Sequence, residues 1–95
     1  MTIREKLLGY TDVVFHDSLR DFPSTTFAGN LPTDAIISTT RGYHLVSDTV
    51  SFQENGSTYV AVLITSIRTG ETRTLRHPPF APYEYVNAQD VLDSY

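Results

Sequence analysis

Between Thr49 and Arg76, apolar and polar residues alternate in runs that flank Asn55-Gly56 and then Arg68-Thr69-Gly70-Glu71, the pattern of two β-hairpins sharing a central strand. Asn and Gly both accept the positive φ of a type I′ turn, so this dipeptide sets the first register. Glu54 then lies opposite Ser57, Gln53 opposite Thr58, Phe52 opposite Tyr59, Val50 opposite Ala61 and Thr49 opposite Val62. Phe52 and Tyr59 form an aromatic cross-strand pair of the kind worth roughly 0.2–1 kcal/mol. In the second turn the β-branched Thr69 resists positive φ, which favours a type I turn with Gly70 as a left-handed bulge residue. That choice sets Ile67 opposite Glu71, Thr65 opposite Arg73, Ile64 opposite Thr74 and Leu63 opposite Leu75.

On this register the odd side of the central strand carries Tyr59, Ala61, Leu63 and Ile67, joined by Phe52, Val50 and Leu75, and reads as one side of a core. The even side carries Val60, Val62 and Ile64, flanked by Ser51, Thr49 and Thr74. A strand that is apolar on both faces needs a cover on each. We expect the terminal helices to cover the even face, with a homo-oligomer formed through Val60, Val62 and Ile64 as the alternative.

Thr2 and Glu5 have capping-box spacing, and Ile3, Leu7 and Leu8 share one side of a short helix that Gly9 can close. Thr11 or Asp12 can cap a second helix, in which Val14, Ser18 and Asp21, like Phe15, Leu19 and Phe22, fall at helical spacing before Pro23; the Val13-Val14-Phe15 run also fits a strand. Phe22 to Asp34, broken by Pro23, Gly29 and Pro32, reads as a loop. Ala35–Thr40 and Tyr43–Val46 read as strands around Arg41-Gly42. The apolar phase then shifts from odd (Tyr43, Leu45) to even (Val50, Phe52), which marks a bulge or bend at Ser47-Asp48. Pro78 and Pro79 end the last strand, since neither can donate to the ladder. Asn87 caps a terminal helix with Ala88, Val91, Leu92 and Tyr95 on its apolar side. The expected fold is α+β: a single compact domain over residues 1–95, with a curved antiparallel β-meander of four to five strands and short N- and C-terminal helices.

Composition bounds the chemistry. A chain of 95 residues suffices for one hydrophobic core, and 40% hydrophobic content excludes a disordered chain. The absence of cysteine closes disulfide, thiolate-metal and thiol-nucleophile chemistry and fits a reducing compartment. No apolar run approaches the roughly 20 residues of a membrane-spanning helix, and no secretory signal is visible, so no membrane association and a cytoplasmic location are expected. Asn55-Gly56-Ser57 matches a glycosylation acceptor, but the turn accounts for it.

His16, His44 and His77 lie in separate elements without metal-motif spacing. His16 could join Asp12, Asp17 and Asp21 in an acid-base or metal cluster, although a solvated acidic helix face explains the same residues. No nucleophile elbow or phosphate loop is present, so no catalysis and no cofactor are expected. The second hairpin concentrates Arg68, Arg73, Arg76 and His77 against Glu71, and six of the chain's seven basic residues are arginine. The Pro78–Tyr83 segment adds Phe80 and Tyr83 to an extended, proline-rich stretch.

The expected function is that of a small non-catalytic protein-binding domain, an adaptor or inhibitor of the kind phages and mobile elements carry, acting through Arg68, Arg73, Arg76, His77, Phe80 and Tyr83. A nucleic-acid-binding module using the Arg-rich hairpin 68–77 is the rival; the net charge of −4 weighs against it because phosphate-backbone binding needs a basic footprint. A virion structural component is a further alternative.

Overall fold

A computed structural model describes residues 2–10, 12–21 and 24–94. Its elements are α1 (Ile3–Leu7), α2 (Asp12–Asp21), β1 (Ser24–Phe27), a 3-10 turn (Ala28–Asn30), β2 (Ala35–Thr39), β3 (Gly42–Glu54), β4 (Ser57–Ser66), β5 (Thr72–His77), β6 (Pro82–Asn87) and α3 (Ala88–Asp93). The α+β class holds. The strand count and order differ from the expected meander: one six-stranded sheet runs β1-β6-β2-β3-β4-β5, with every pairing antiparallel.

Both unexpected strands come from segments whose local signals are weak. Ser24–Phe27, inside the expected loop, pairs with β6 from Ser24↔Tyr85 to Phe27↔Pro82. Residues 82–87 insert between β1 and β2, with Pro82 at the first position, where a missing N–H costs least. The 12–21 segment is helical; the proposed cap Thr11, the helix residue Phe22, the breaker Pro23 and the terminal Tyr95 lie outside the described residues. The other caps form as their chemistry requires. Thr2 Oγ1 accepts the Glu5 N–H at 3.2 Å, and Asn87 Oδ1 accepts the Gln89 N–H at 2.8 Å.

The first hairpin has the expected register, Glu54↔Ser57 through Thr49↔Val62, with positive φ at Asn55 (52°) and Gly56 (80°). The phase shift is a bulge: the β3–β4 register breaks between Val46 and Asp48. The second hairpin is one residue out from the expected register. Val62 faces Leu75, Ile64 faces Arg73 and Thr65 faces Thr72. Ile67 stays on the β3 side of the ladder, donating its N–H to the Tyr43 carbonyl at 3.1 Å, and its side chain is fully buried. The turn takes in Ile67 and closes one residue earlier, through the Ser66 N–H to the Glu71 carbonyl (2.8 Å), with Gly70 at φ 78°. A one-residue slip turns every side chain of β5 to the other face.

Two clusters occupy the two faces of the sheet. Val60, Val62 and Ile64 are buried with Val46, Ala35, Ile37, Ala28 and Leu31, and Leu75, Tyr83 and Tyr85 pack against them. We call this the inner face. Contrary to the sequence expectation, the terminal helices do not cover it; the sheet covers it by curling. A flat sheet would hold β5 and β6 four strand spacings apart, about 19 Å, whereas the His77 and Tyr83 rings sit with centroids 5.4 Å apart. Because the chain's own residues bury Val60, Val62 and Ile64, that face presents no open surface to a second copy.

The helices cover the outer face instead, and only at one end. Leu7, Phe15 and Val91 pack with Ile36, Tyr43, Leu45, Ile67 and Val86. Burying side chains of this size contributes roughly 1.5–3 kcal/mol each. Along β4 the cover runs out: Ile67 and Thr65 are buried, but Leu63 is 38% exposed. Beyond it the hairpin continues as an arm. β3 alone, at about 3.3 Å per residue, spans about 40 Å, close to the 45 Å long dimension of the molecule.

Ile67 and Leu63 therefore make a matched pair on one face of one strand. Ile67→Ala should lower unfolding free energy by about 2–5 kcal/mol in urea denaturation, and Leu63→Ala by less than about 1 kcal/mol. Equal losses would show that the cover extends along the arm.

Candidate functional site

The bare half of the outer face is built by the β3–β4–β5 ladder. The bulge at Ser47 turns Val50, Phe52 and Glu54 outward, opposite Ala61, Tyr59 and Ser57, and Arg76 joins them from β5 opposite Ala61. Phe52 and Tyr59 stack with centroids 5.8 Å apart at 28°. The Arg76 guanidinium lies over both rings, 4.6 Å from the Tyr59 centroid and 5.3 Å from that of Phe52, and forms an ion pair with Glu54. A cation held over two aromatic faces and anchored by a carboxylate is an ordered side-chain arrangement. Val50, 49% exposed, and Leu63 extend the apolar strip toward the helices. Ser47 Oγ and Thr65 Oγ1, 3.0 Å apart, form the polar boundary where the helical cover ends.

Phe80 stands at the rim. It sits in a turn closed by the Ala81 N–H on the Pro78 carbonyl at 3.1 Å, and the turn is pinned by the Ala28 N–H to the Ala81 carbonyl (2.8 Å) and the Gly29 N–H to the Pro79 carbonyl (3.0 Å). At 71% exposure it is the most exposed large apolar side chain among the described residues. With Pro78, Pro79, Tyr59, Ser57 and Thr58 it lines a depression of about 410 Å³ that is continuous with the stack through Tyr59.

The six residues marked from the sequence thus separate. Arg76 and Phe80 share the outer surface. Arg73 and His77 lie on the inner side of β5, opposite Ile64 and Val60. Arg68 is exposed in the β4–β5 turn. Tyr83 packs against the inner cluster, edge-on to His77, whose Nε2 is buried with no hydrogen-bond partner among the described residues. Phe52, Tyr59, Val50 and Glu54 complete the site; the sequence pattern shows the first three as a cross-strand apolar set but assigns them to a core. Among the described side chains His16 does not gather the acidic residues of its helix. Its Nδ1 is 2.6 Å from the Tyr43 hydroxyl, while Asp17 and Asp21 both approach Arg20. Among the described residues no group of three His, Asp or Glu side chains is placed to hold a metal ion, and no helix is long and apolar enough to cross a membrane.

In fold the chain is similar to translation initiation factor 5A proteins. A translation initiation factor eif-5a family protein from Naegleria fowleri superposes with a TM-score of 0.56 at 15% identity, over 70% of this chain and 48% of that one. Eukaryotic translation initiation factor 5A from Methanococcus jannaschii superposes with a TM-score of 0.53 at 12% identity, over 65% of this chain and 48% of that one. The chain spans about half the length of these solved structures. No protein-family model and no curated protein matches it in sequence.

Burial raises the Tyr83 phenol above its ordinary value of 10.0 by removing water from the phenolate. The folded state therefore holds this proton more tightly than the unfolded chain. The associated stability is fully present below the unfolded pKa and is lost as pH rises through the folded one. Urea midpoints measured at about pH 8 and about pH 11 should fall on going alkaline, and Tyr83→Phe should show a smaller fall; an equal fall in both proteins would place the alkaline sensitivity elsewhere.

Proposed function

We propose that the chain is a non-catalytic protein-binding domain, an adaptor or inhibitor, whose contact surface is the bare outer face of the β3–β4–β5 arm. The observation that carries this reading is the continuity of that face. One apolar side of the sheet begins under the helices at Ile67 and runs out into solvent through Leu63, Val50 and the Phe52–Tyr59 stack. Val50 and Leu63, two of the four large apolar side chains exposed among the described residues, lie in this strip beside the half-buried stack, while Phe80 stands at its rim and Phe27 lies apart on β1; apolar surface gathered in this way marks interaction surfaces. The strip also has the composition of an interface centre, with aromatic residues and an arginine whose charge is already balanced. Paired with Glu54 and stacked on two rings, Arg76 would not enter an interface as an unpaired charge.

A second reading draws on the same residues. A stacked aromatic pair beside a guanidinium is also a platform for single-stranded nucleic acid, and the solved structures of similar fold are named as translation initiation factors. The ion pair to Glu54 and the net charge of −4 weigh against it.

Two substitutions on exposed side chains test the proposal without touching the core. Arg76→Ala and Val50→Glu should each weaken capture of the partner by more than about tenfold, or 1.4 kcal/mol, while Arg73→Ala on the other face leaves it unchanged. Unchanged capture by both outer-face variants would overturn the protein-binding reading. Binding of a single-stranded oligonucleotide that weakens steeply with salt, and is lost in Arg76→Ala, would replace it with the nucleic-acid reading.

A further inference from the structure

Carboxylate residues outnumber cationic ones in this chain by 11 to 7, yet the cations are not distributed evenly among the anions. Arg20 pairs with Asp17 and Arg76 with Glu54. Arg41 and Arg73 instead share one cleft of about 180 Å³ between the β2–β3 turn and β5, walled by Thr39, Thr40 and His44 and, among the described residues, by no carboxylate. Neither arginine makes an ion pair among the described residues. Arg73 also lines a neighbouring depression with Arg4, again with no described carboxylate in its walls. Two cations lining one cleft without a carboxylate between them leave its positive charge unbalanced by the protein.

The platform beneath these cations is firmly held. Thr39 Oγ1 accepts the Arg41 backbone N–H at 3.1 Å and donates to the Gly42 carbonyl at 3.2 Å, which fixes the turn that presents Arg41. His44, almost fully buried, lies with Nδ1 3.2 Å from the same carbonyl. The same Nδ1 lies 3.2 Å from Thr39 Oγ1, so the ring is tied to the turn as part of the floor. On the opposite wall the Ile64↔Arg73 pairing aims Arg73 inward from β5.

We propose that this cleft binds the phosphate group of a phosphorylated ligand, with Arg41 and Arg73 as its two cationic arms and the exposed Thr40 beside them. Two guanidiniums on separate elements match a tetrahedral dianion in charge and offer forked N–H donors to its oxygens. The cleft is smaller than the roughly 300 Å³ at which pockets begin to enclose drug-sized ligands, so it admits the phosphate and leaves the rest of the ligand outside. Arg73 and Arg76 occupy positions of opposite parity on β5, so the cleft and the aromatic stack can be altered separately.

The test is an NMR titration of the full chain with inorganic phosphate, with sodium chloride holding ionic strength constant and acetate as the control anion. Phosphate should shift the backbone amides of Arg41, Gly42 and Arg73 saturably, and acetate should not. Arg41→Gln and Arg73→Gln should each weaken binding by about tenfold or more, with spectra otherwise dispersed as in the unaltered protein. Parallel titrations with O-phosphoserine and a nucleoside monophosphate distinguish a phosphorylated peptide from a nucleotide as the carrier, and equal affinities assign recognition to the phosphate alone. Shifts that fail to saturate, that acetate reproduces, or that persist in Arg73→Gln would overturn the proposal.

Discussion

The ladder between β3 and β4 is the frame on which the rest of the molecule is hung, and the extra residue at Ser47 decides what that frame presents. Before the bulge, Tyr43 and Leu45 point toward the helices and Val46 points inward; after it, Thr49 points inward and Val50 and Phe52 point out. Without the insertion the parity of β3 would reverse beyond that point, turning Phe52 to the side of Val60 and Val62 and Ser51 to the side of Tyr59. The stack of Phe52, Tyr59 and Arg76, and its closure by Glu54, exist because one residue was added to one strand.

The sheet solves its two-faced apolarity asymmetrically. On the inner side it curls until residues from β2, β4 and β6 meet around Ala28 and Leu31, so the fold makes a core from a single sheet. On the outer side short helices supply the cover, and their combined length reaches only the end of the sheet where Ile36, Leu45 and Ile67 lie. The arm beyond is held by backbone pairing, by the inner cluster and by the Phe52–Tyr59 stack, and Val50 and Leu63 beside that stack stay exposed. Surface of this kind costs solubility if nothing uses it.

β5 separates the two surfaces to which we assign binding. Its alternation sends Arg76 and Thr74 outward and Arg73, Leu75 and His77 inward. Four basic residues that look like one patch in sequence thus divide into an ion-paired arginine on an aromatic platform, an arginine facing Arg41 across a cleft, a turn residue, and a histidine packed on Tyr83. Charge clustering along a strand does not survive as charge clustering in space, because the pleat has a period of two.

What could be read without the tertiary structure was whatever a few adjacent residues decide by their own stereochemistry. The Asn55-Gly56 turn set the first register; Thr2 and Asn87 announced helix starts; the parity change across Ser47 announced the bulge; Pro78 and Pro79 marked the end of β5. The tertiary structure decided whatever depends on burial among distant segments. Ser24–Phe27 and Pro82–Asn87 are strands because they find each other and β2, and neither announces this locally. The second turn carries Gly70 as expected, yet it is one residue longer, with Ile67 buried under the helices and the Ser66 N–H bound to the Glu71 carbonyl. Alternation showed that β4 has two apolar faces, but which of them lies open depends on where the sheet curls and how far the helices reach, and those are properties of the whole chain.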